Sequence, residues 1–274
     1  MSERLDAALA ARGLARSRTH AAGLIADGLV TVDGRPIVKA SAKVEESSTI
    51  EVAAFDHYVS RAAHKLIAAL DAFPIDVAGR VALDMGASTG GFTQVLRERG
   101  ADPVIAVDVG HGQLSERIRD DAGVVSVEGY NVRDMTPDSL AEVTGVAEAP
   151  SIVTGDLSFI SLGLVLPAVR ATMTPDGDAV LLVKPQFEVG RTSVRGGLVT
   201  DPASRADAVA GVLWAAWDAG LGTHGVIASP LPGTHGNHEF VAWLRARDTS
   251  DEGTDADAAN PSAWLALVNE LTQR

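Results

Sequence analysis

Cysteine is absent from this 274-residue chain, so a disulfide framework and a thiolate metal site are both excluded. Also missing is any run of 18 apolar residues, and the chain is polar from Ser2 onward. It is therefore read as having neither a membrane span nor a signal peptide, and a soluble cytoplasmic protein is expected. No internal repeat is evident. Positive charge is in deficit: the formal net charge is −13, which taken alone argues against a nucleic-acid partner. Its distribution weakens that argument. Residues 1–80 hold ten Lys/Arg and ten Asp/Glu, so the whole acidic excess lies beyond them. Part of it is the stretch 248–258, rich in Asp, Glu, Thr and Ala, which reads as a solvated, flexible segment. Local patches, not net charge, decide where a polyanion sits. With 46% hydrophobic residues, the chain can bury the core of one large domain and one small one.

The most informative stretch is Leu83-Asp84-Met85-Gly86-Ala87-Ser88-Thr89-Gly90-Gly91-Phe92. An apolar run precedes it and a helical pattern (Phe92, Val95, Leu96) follows, which describes a strand, a glycine turn and a helix start. A dinucleotide fold would place Gly-x-Gly-x-x-Gly here, offering backbone amides to a pyrophosphate. This chain has an acid on the strand and Gly-x-x-x-Gly-Gly. Asp84 would repel a pyrophosphate but could accept hydrogen bonds from an ammonium group. S-adenosylmethionine carries an ammonium and a sulfonium and no phosphate, so the loop reads as a methyl-donor site.

From residue 80 onward, strand patterns (81–84, 103–108, 123–127, 151–155, 178–184, 222–229 and 238–244) alternate with helical ones (91–99, 112–120, 137–144, 160–173, 202–219). A closing helix is expected at 261–271. Such alternation predicts an α/β fold with a mostly parallel, doubly wound sheet. Ligands of such sheets bind beyond the carboxyl ends of the strands. Asp108 ends the second strand, where an acid would meet ribose hydroxyls; a helix cap is the alternative. Asn131 follows the third strand and could contact an adenine edge or simply make a turn. Asp156 ends the fourth strand and Lys184 the fifth. A lysine closing a buried apolar strand needs a partner, and Asp156, on the neighbouring strand end, is the natural one.

Residues 3–13 and 17–27 read as two short helices, with Ser17 an N-cap and Gly28 a stop. Leu29–Arg35 reads as a strand running into an Asp-Gly turn, and 49–52 as another strand. The order Arg4-Leu5-Asp6, Arg12-Gly13-Leu14, Ser17-Arg18, Leu24-Ile25 and Gly28-x-Val30-x-Val32-x-Gly34 resembles the S4 RNA-binding domain over about residues 3–52. In that family the basic helical face contacts structured RNA. The resemblance implies Arg4, Arg12, Arg16, Ser17, Arg18, His20, Lys39 and Lys43 as contacts, with Arg61 added from the linker. A solvated charged face is the plain alternative.

Two further groups gain meaning only in combination. By itself, Lys65 in Ser60-Arg61-x-x-x-Lys65-Leu66 reads as an exposed helix lysine, and Glu239 as an edge-strand charge. Lys65, Asp156, Lys184 and Glu239, with the loop at Asp84, resemble the Lys-Asp-Lys-Glu set of FtsJ-like RNA 2′-O-methyltransferases. Asp156-Leu157-Ser158-Phe159-Ile160-Ser161, Lys184-Pro185-Gln186-Phe187-Glu188 and Ser229-Pro230-x-Pro232-Gly233-x-x-Gly236-Asn237, with the S4-like segment, narrow the resemblance to the TlyA family. The linker Asp56-His57-Tyr58-Val59 departs from that family's pattern, which has a basic residue before the aromatic; His64 and Ala62-Ala63 also fit loosely.

The resemblance implies a class I methyltransferase with a seven-stranded sheet: residues 1–55 S4-like, 56–63 linker, 64–274 catalytic. It implies S-adenosylmethionine held by Asp84, Gly86, Ser88, Thr89, Gly90, Gly91, Phe92, Asp108, Asn131 and Asp156, and no metal. It further implies methylation of cytidine 2′-hydroxyls in 16S and/or 23S ribosomal RNA by a monomeric enzyme, and through it sensitivity to capreomycin-type antibiotics. Lys184 would polarise or deprotonate the hydroxyl, Asp156 would orient Lys184, and Lys65 and Glu239 would hold the ribose and its phosphate. Three alternatives remain. They are an RNA-binding protein without activity, a membrane-active haemolysin (a label this family also carries), and a base or small-molecule methyltransferase. The last would suit a strand ending in Asn/Asp-Pro-Pro-Tyr/Phe, whereas this one ends in Asp156-Leu157-Ser158-Phe159.

Overall fold

A computed structural model of the chain describes residues 2–15, 17–26, 28–52, 57–190, 194, 196–233, 236–247 and 259–273. Arg16, Asp56 and the acidic stretch 248–258 lie outside the described residues. The chain divides into two compact units, 1–61 with 234–236, and 62–233 with 237–274.

The first unit contains β1 (Ser2–Arg4), α1 (Leu5–Ala11), α2 (Arg18–Ala26), β2 (Val30–Val32), β3 (Arg35–Pro36), β4 (Lys43–Glu45) and β5 (Ile50–Val52). The Ser17 hydroxyl accepts the His20 N–H at 3.1 Å, as an N-cap should. Asp33 and Gly34, at φ 51° and 75°, make the tight turn between β2 and β3. Leu5, Leu9, Ile25 and Val30, all fully buried, form the small core. The sequence pattern misses the antiparallel pair β1–β4, whose three-residue strands are too short to show an alternation.

The second unit begins with α3 (Ala63–Ala72) and continues β6 (Ala82–Met85), α4 (Gly91–Glu98), β7 (Val104–Asp108), α5 (Glu116–Arg119), β8 (Val124–Glu128). It goes on α6 (Pro137–Thr144), β9 (Ile152–Gly155), α7 (Leu166–Thr172), β10 (Asp178–Val183), α8 (Pro185–Glu188), α9 (Pro202–Asp218), β11 (Leu221–Ala228), β12 (Phe240–Ala246) and α10 (Leu265–Thr272). Seven strands form one sheet in the order β11-β12-β10-β9-β6-β7-β8. From β10 to β8 all neighbours are parallel; β12 runs antiparallel between β10 and β11. The central strands are buried throughout, which explains their continuous apolar runs. Because β6, β7, β9 and β10 point the same way, their carboxyl ends gather at one edge.

Candidate active site

At that edge a cleft of ≈ 440 Å³ opens, lined by Gly86, Ser88, Asp108, Val109, Gln113, Tyr130, Asn131, Val132, Asp156, Leu157, Ser158, Phe159 and Ile160. The two charged residues in this lining are Asp108 and Asp156, with no lysine or arginine. A phosphate-bearing ligand would find no cation here, whereas a sulfonium and an ammonium would find carboxylates. Leu157, Val109, Val132 and Ile160 supply apolar wall suited to a planar base. Gly86, at φ 75°, is required: a Cβ there would lie 3.1 Å from Leu157 Cδ2 and 3.3 Å from the Asp156 carbonyl oxygen. The residues thus fit S-adenosylmethionine in charge and in shape.

Asp108 is already aimed. Its Oδ2 accepts the Ser88 N–H at 2.8 Å and its Oδ1 the Gly110 N–H at 2.7 Å. Each carboxylate oxygen keeps a second lone pair for a ribose hydroxyl. It therefore caps no helix. Asn131 makes the turn, its Oδ1 accepting the Arg133 N–H at 3.1 Å, and it also lines the cleft.

Asp84 requires a correction. It is 1% exposed and lies beneath the cleft instead of lining it. The Thr93 hydroxyl donates to Oδ2 at 2.6 Å and the Thr154 hydroxyl to Oδ1 at 3.2 Å. Burial raises its pKa to about 7, against the lowering effect of those two hydroxyls. Asp84 thus ties α4 and β9 to the strand that carries the loop, and its carboxyl does not reach the cleft. Thr89, Gly90, Gly91 and Phe92 are likewise outside the lining. Gly90, at φ 98°, lets Leu114 and Ile118 pack where its Cβ would be, and Phe92 is a core residue.

Beside the cleft four charged groups form one chain. Lys184 Nζ lies 2.6 Å from Asp156 Oδ1 and donates to Ser158 Oγ at 2.8 Å. Lys65 Nζ lies 3.6 Å from Asp156 Oδ2 and donates to Glu239 Oε2 at 2.6 Å. The side chains of Lys65, Lys184 and Glu239 are 7%, 9% and 3% exposed, and Asp156, at 16%, is the member that reaches the cleft. Burial opposes the charge of Asp156, but the ammonium groups of Lys65 and Lys184 outweigh it and hold its carboxyl below the usual range. The helix lysine and the edge-strand glutamate of the residue-by-residue reading are both buried.

Three features of the wall escape the sequence pattern. Gln113 and Tyr130 line the cleft from segments with no local signature. Glu188 accepts the Ser161 hydroxyl at 2.6 Å and the Leu162 N–H at 2.9 Å, pinning the segment after Asp156; burial raises its pKa. Phe159 is 92% exposed at φ 64°, its ring 5.3 Å from that of Phe187. A non-glycine residue held there costs about 1–3 kcal/mol and points to a functional constraint.

In the first unit, the Asp6 carboxylate accepts from Arg4 at 2.9 and 3.0 Å and from Arg18 at 3.0 Å. Arg4 sits opposite Lys43 in the β1–β4 register. Lys39 is exposed, and Arg61 lies with Nη1 3.1 Å from where a Gly28 Cβ would be. Arg12 donates to the carbonyl oxygens of Ser48, Glu45 and Glu46 at 2.7, 3.0 and 3.2 Å, which fastens it to the segment after β4. His20 is half-buried.

The sheet order, with β12 inserted antiparallel, and a strand-end cleft fitted to a cationic cofactor define a class I S-adenosylmethionine-dependent methyltransferase. The FtsJ-like methyltransferase model matches residues 58–246 and the S4 domain model residues 3–50. The chain belongs to the FtsJ-like methyltransferase family, in the branch that carries an S4 domain and includes TlyA. The 16S/23S rRNA (cytidine-2′-O)-methyltransferase TlyA of Mycobacterium tuberculosis is 49% identical, over 89% of this chain and 90% of that protein. Hemolysin A of Brachyspira hyodysenteriae is 36% identical, over 87% and 98%. The solved structure of a hemolysin-named protein from Streptococcus thermophilus superposes with a TM-score of 0.72 at 35% identity, covering 99% of this chain and 97% of that one.

Proposed function

We propose that this chain methylates the 2′-hydroxyl of cytidine in 16S and/or 23S ribosomal RNA, acting as a cytoplasmic monomer. The chain Glu239–Lys65–Asp156–Lys184, abutting the donor cleft through Asp156, carries this reading. The cofactor supplies a methyl group made electrophilic by its sulfonium. Held among Gly86, Asp108, Asn131 and Asp156, it would present that methyl group to the 2′-oxygen. Lys184 polarises or deprotonates the hydroxyl: a proton it has first released to solvent is replaced by the hydroxyl proton, and Asp156 is placed to stabilise the ammonium so restored. Lys65, fixed by Glu239, holds Asp156 from its other side and offers positive charge to the ribose phosphate. Such positioning accounts for about 7–11 kcal/mol in well-oriented systems.

Phe159, exposed at the cleft wall, offers a ring on which an extruded base can stack. Residues 1–55 would hold structured RNA and 64–274 perform the transfer. Arg4, Arg18 and Lys43, brought together by Asp6 and the β1–β4 pairing, form the strongest phosphate-binding candidate of the first unit. Ser17, His20, Lys39 and Arg61 complete the proposed set; Arg16 is outside the described residues. Among the described residues no helix is long and apolar enough to cross a membrane, so a membrane-active reading lacks support from a helical span. Mapping 2′-O-methyl cytidines in ribosomal RNA from cells with and without this protein tests the proposal. Loss of one or more sites on deletion is expected; identical maps would overturn it. The same cells would show whether loss of the methyl groups alters capreomycin sensitivity.

A further inference from the structure

The segment Ser229-Pro230-Leu231-Pro232-Gly233, with Asn237, has no part in the transfer as described so far. Its geometry is nevertheless specific. A Cβ on Gly233 would lie 2.3 Å from Glu239 Oε1 and 3.0 Å from Glu239 Cδ. The carboxyl that holds Lys65 thus rests in the space where any other residue has its side chain.

The surrounding bonds keep that space in place. Ser229 Oγ donates to the Leu231 carbonyl at 2.7 Å, and the Ser229 N–H donates to the Glu239 carbonyl at 2.8 Å. The Gly233 N–H donates to the Asn237 carbonyl at 2.8 Å. Asn237, 4% exposed, accepts the Val199 N–H at 3.0 Å and donates to the Gly197 carbonyl at 2.7 Å, so the segment is fastened on both sides. Two prolines, with φ fixed, stiffen the approach to Gly233.

We propose that Gly233 is a positioning residue for methyl transfer: its bare Cα is the seat that holds the Glu239 carboxylate against Lys65. The proposal rests on the reading of Glu239 and Lys65 as members of the acceptor site. The atom a new methyl group would displace is the end of a side chain, not backbone. The fold can therefore absorb the substitution by swinging Glu239 aside, and the loss appears in the reaction. A displacement of about 1 Å near reacting groups can cost on the order of 10²-fold in rate.

The test is a double-mutant cycle on the full chain, with unmodified ribosomal RNA and labelled S-adenosylmethionine. Gly233→Ala is expected to lower kcat about 10–100-fold while donor affinity stays within about twofold. Glu239→Asp should lower activity in the natural background but add little to Gly233→Ala, because both act through one carboxylate. Full activity in Gly233→Ala, or two losses that simply multiply, would overturn the proposal. Should Gly233→Ala fail to fold, Gly233→Ala combined with Glu239→Ala must restore the thermal midpoint; continued failure also overturns it, since the methyl would then collide with something other than the carboxyl. Full methyl transfer by Glu239→Gln would instead sink the underlying reading of the acceptor site, whatever Gly233→Ala does.

Discussion

Among the described residues, two of the carboxylates set between two cations bury opposite partners. In Lys65–Asp156–Lys184 the cations are 7% and 9% exposed and the acid is the more open group, at 16%. In Arg4–Asp6–Arg18 the acid is 8% exposed while the guanidinium-bearing side chains are 44% and 61% exposed. Desolvated lysines interact strongly with whatever shares their cavity, because the surrounding dielectric is low. Wet arginines gain little from their pairing, but an acid beneath them fixes where their remaining donors point. One arrangement is suited to moving a proton. The other is suited to presenting charge to a polyanion.

The comparison breaks most easily at Lys184. Lys184→Ala should lower methyl transfer by about 10²–10⁴-fold, the usual worth of a general base, with donor binding nearly intact by titration. Unchanged turnover would remove Lys184 from the mechanism. Asp156→Asn comes next, since it leaves two buried lysines facing each other. Removing one partner of a buried pair costs about 3–5 kcal/mol, and somewhat less here because Asp156 is part-exposed, so thermal midpoint and rate should fall together. A variant as stable as the parent would show that the lysines are not charged against Asp156.

At the exposed site the effects are smaller and of another kind. Arg18→Ala should weaken ribosomal RNA binding severalfold and flatten its salt dependence, by about 0.7–0.9 in the log–log slope for each phosphate no longer neutralised. Asp6→Asn should do likewise while leaving both arginines present. Weaker binding with an unaltered slope would assign Arg18 to folding and not to phosphate. Asp6 also contributes to stability. Its carboxyl is held below the usual range, first by the Arg4 hydrogen bonds, with burial opposing. Its stabilisation is therefore present above the ordinary carboxylate pKa and is lost as pH falls through the depressed one.

Asp84 has the opposite sign. Raised to about 7 by burial, it retains its proton in the folded chain where the unfolded chain has released it. Stability therefore declines from about pH 4 to pH 7, with a slope of at most about 1.4 kcal/mol per pH unit. Asp84→Asn should remove that decline in a series of thermal midpoints. An unchanged series would place the Asp84 pKa in the ordinary range.

Much of the second unit is legible in the sequence because its strands are buried on both faces and read as apolar runs. Asp156 and Lys184 stand out as charges at the ends of such runs. Lys65 and Glu239 do not: a helix lysine and an acid before a strand are ordinary until the fold closes around them, and only the family pattern singles them out. Asp84 is misread for a related reason, since a strand-end acid can point into the cleft or beneath it, and Thr93 and Thr154 decide which. Arg12 looks like its neighbours in composition and differs only in the carbonyls within its reach. Gly233 leaves no trace beyond a motif, because what it provides is space.

Lys65 and Glu239 are 174 residues apart in sequence, one ahead of the first strand of the sheet and one at the start of its last. Contacts so distant along the chain are the slowest for a polypeptide to close. During synthesis the donor cleft, built from residues 86–160, emerges well before the acceptor cluster can be completed. A partly made chain that lacks β12 therefore cannot carry the Lys65–Glu239 pair. Transfer by this site waits for β12 to slot between β10 and β11.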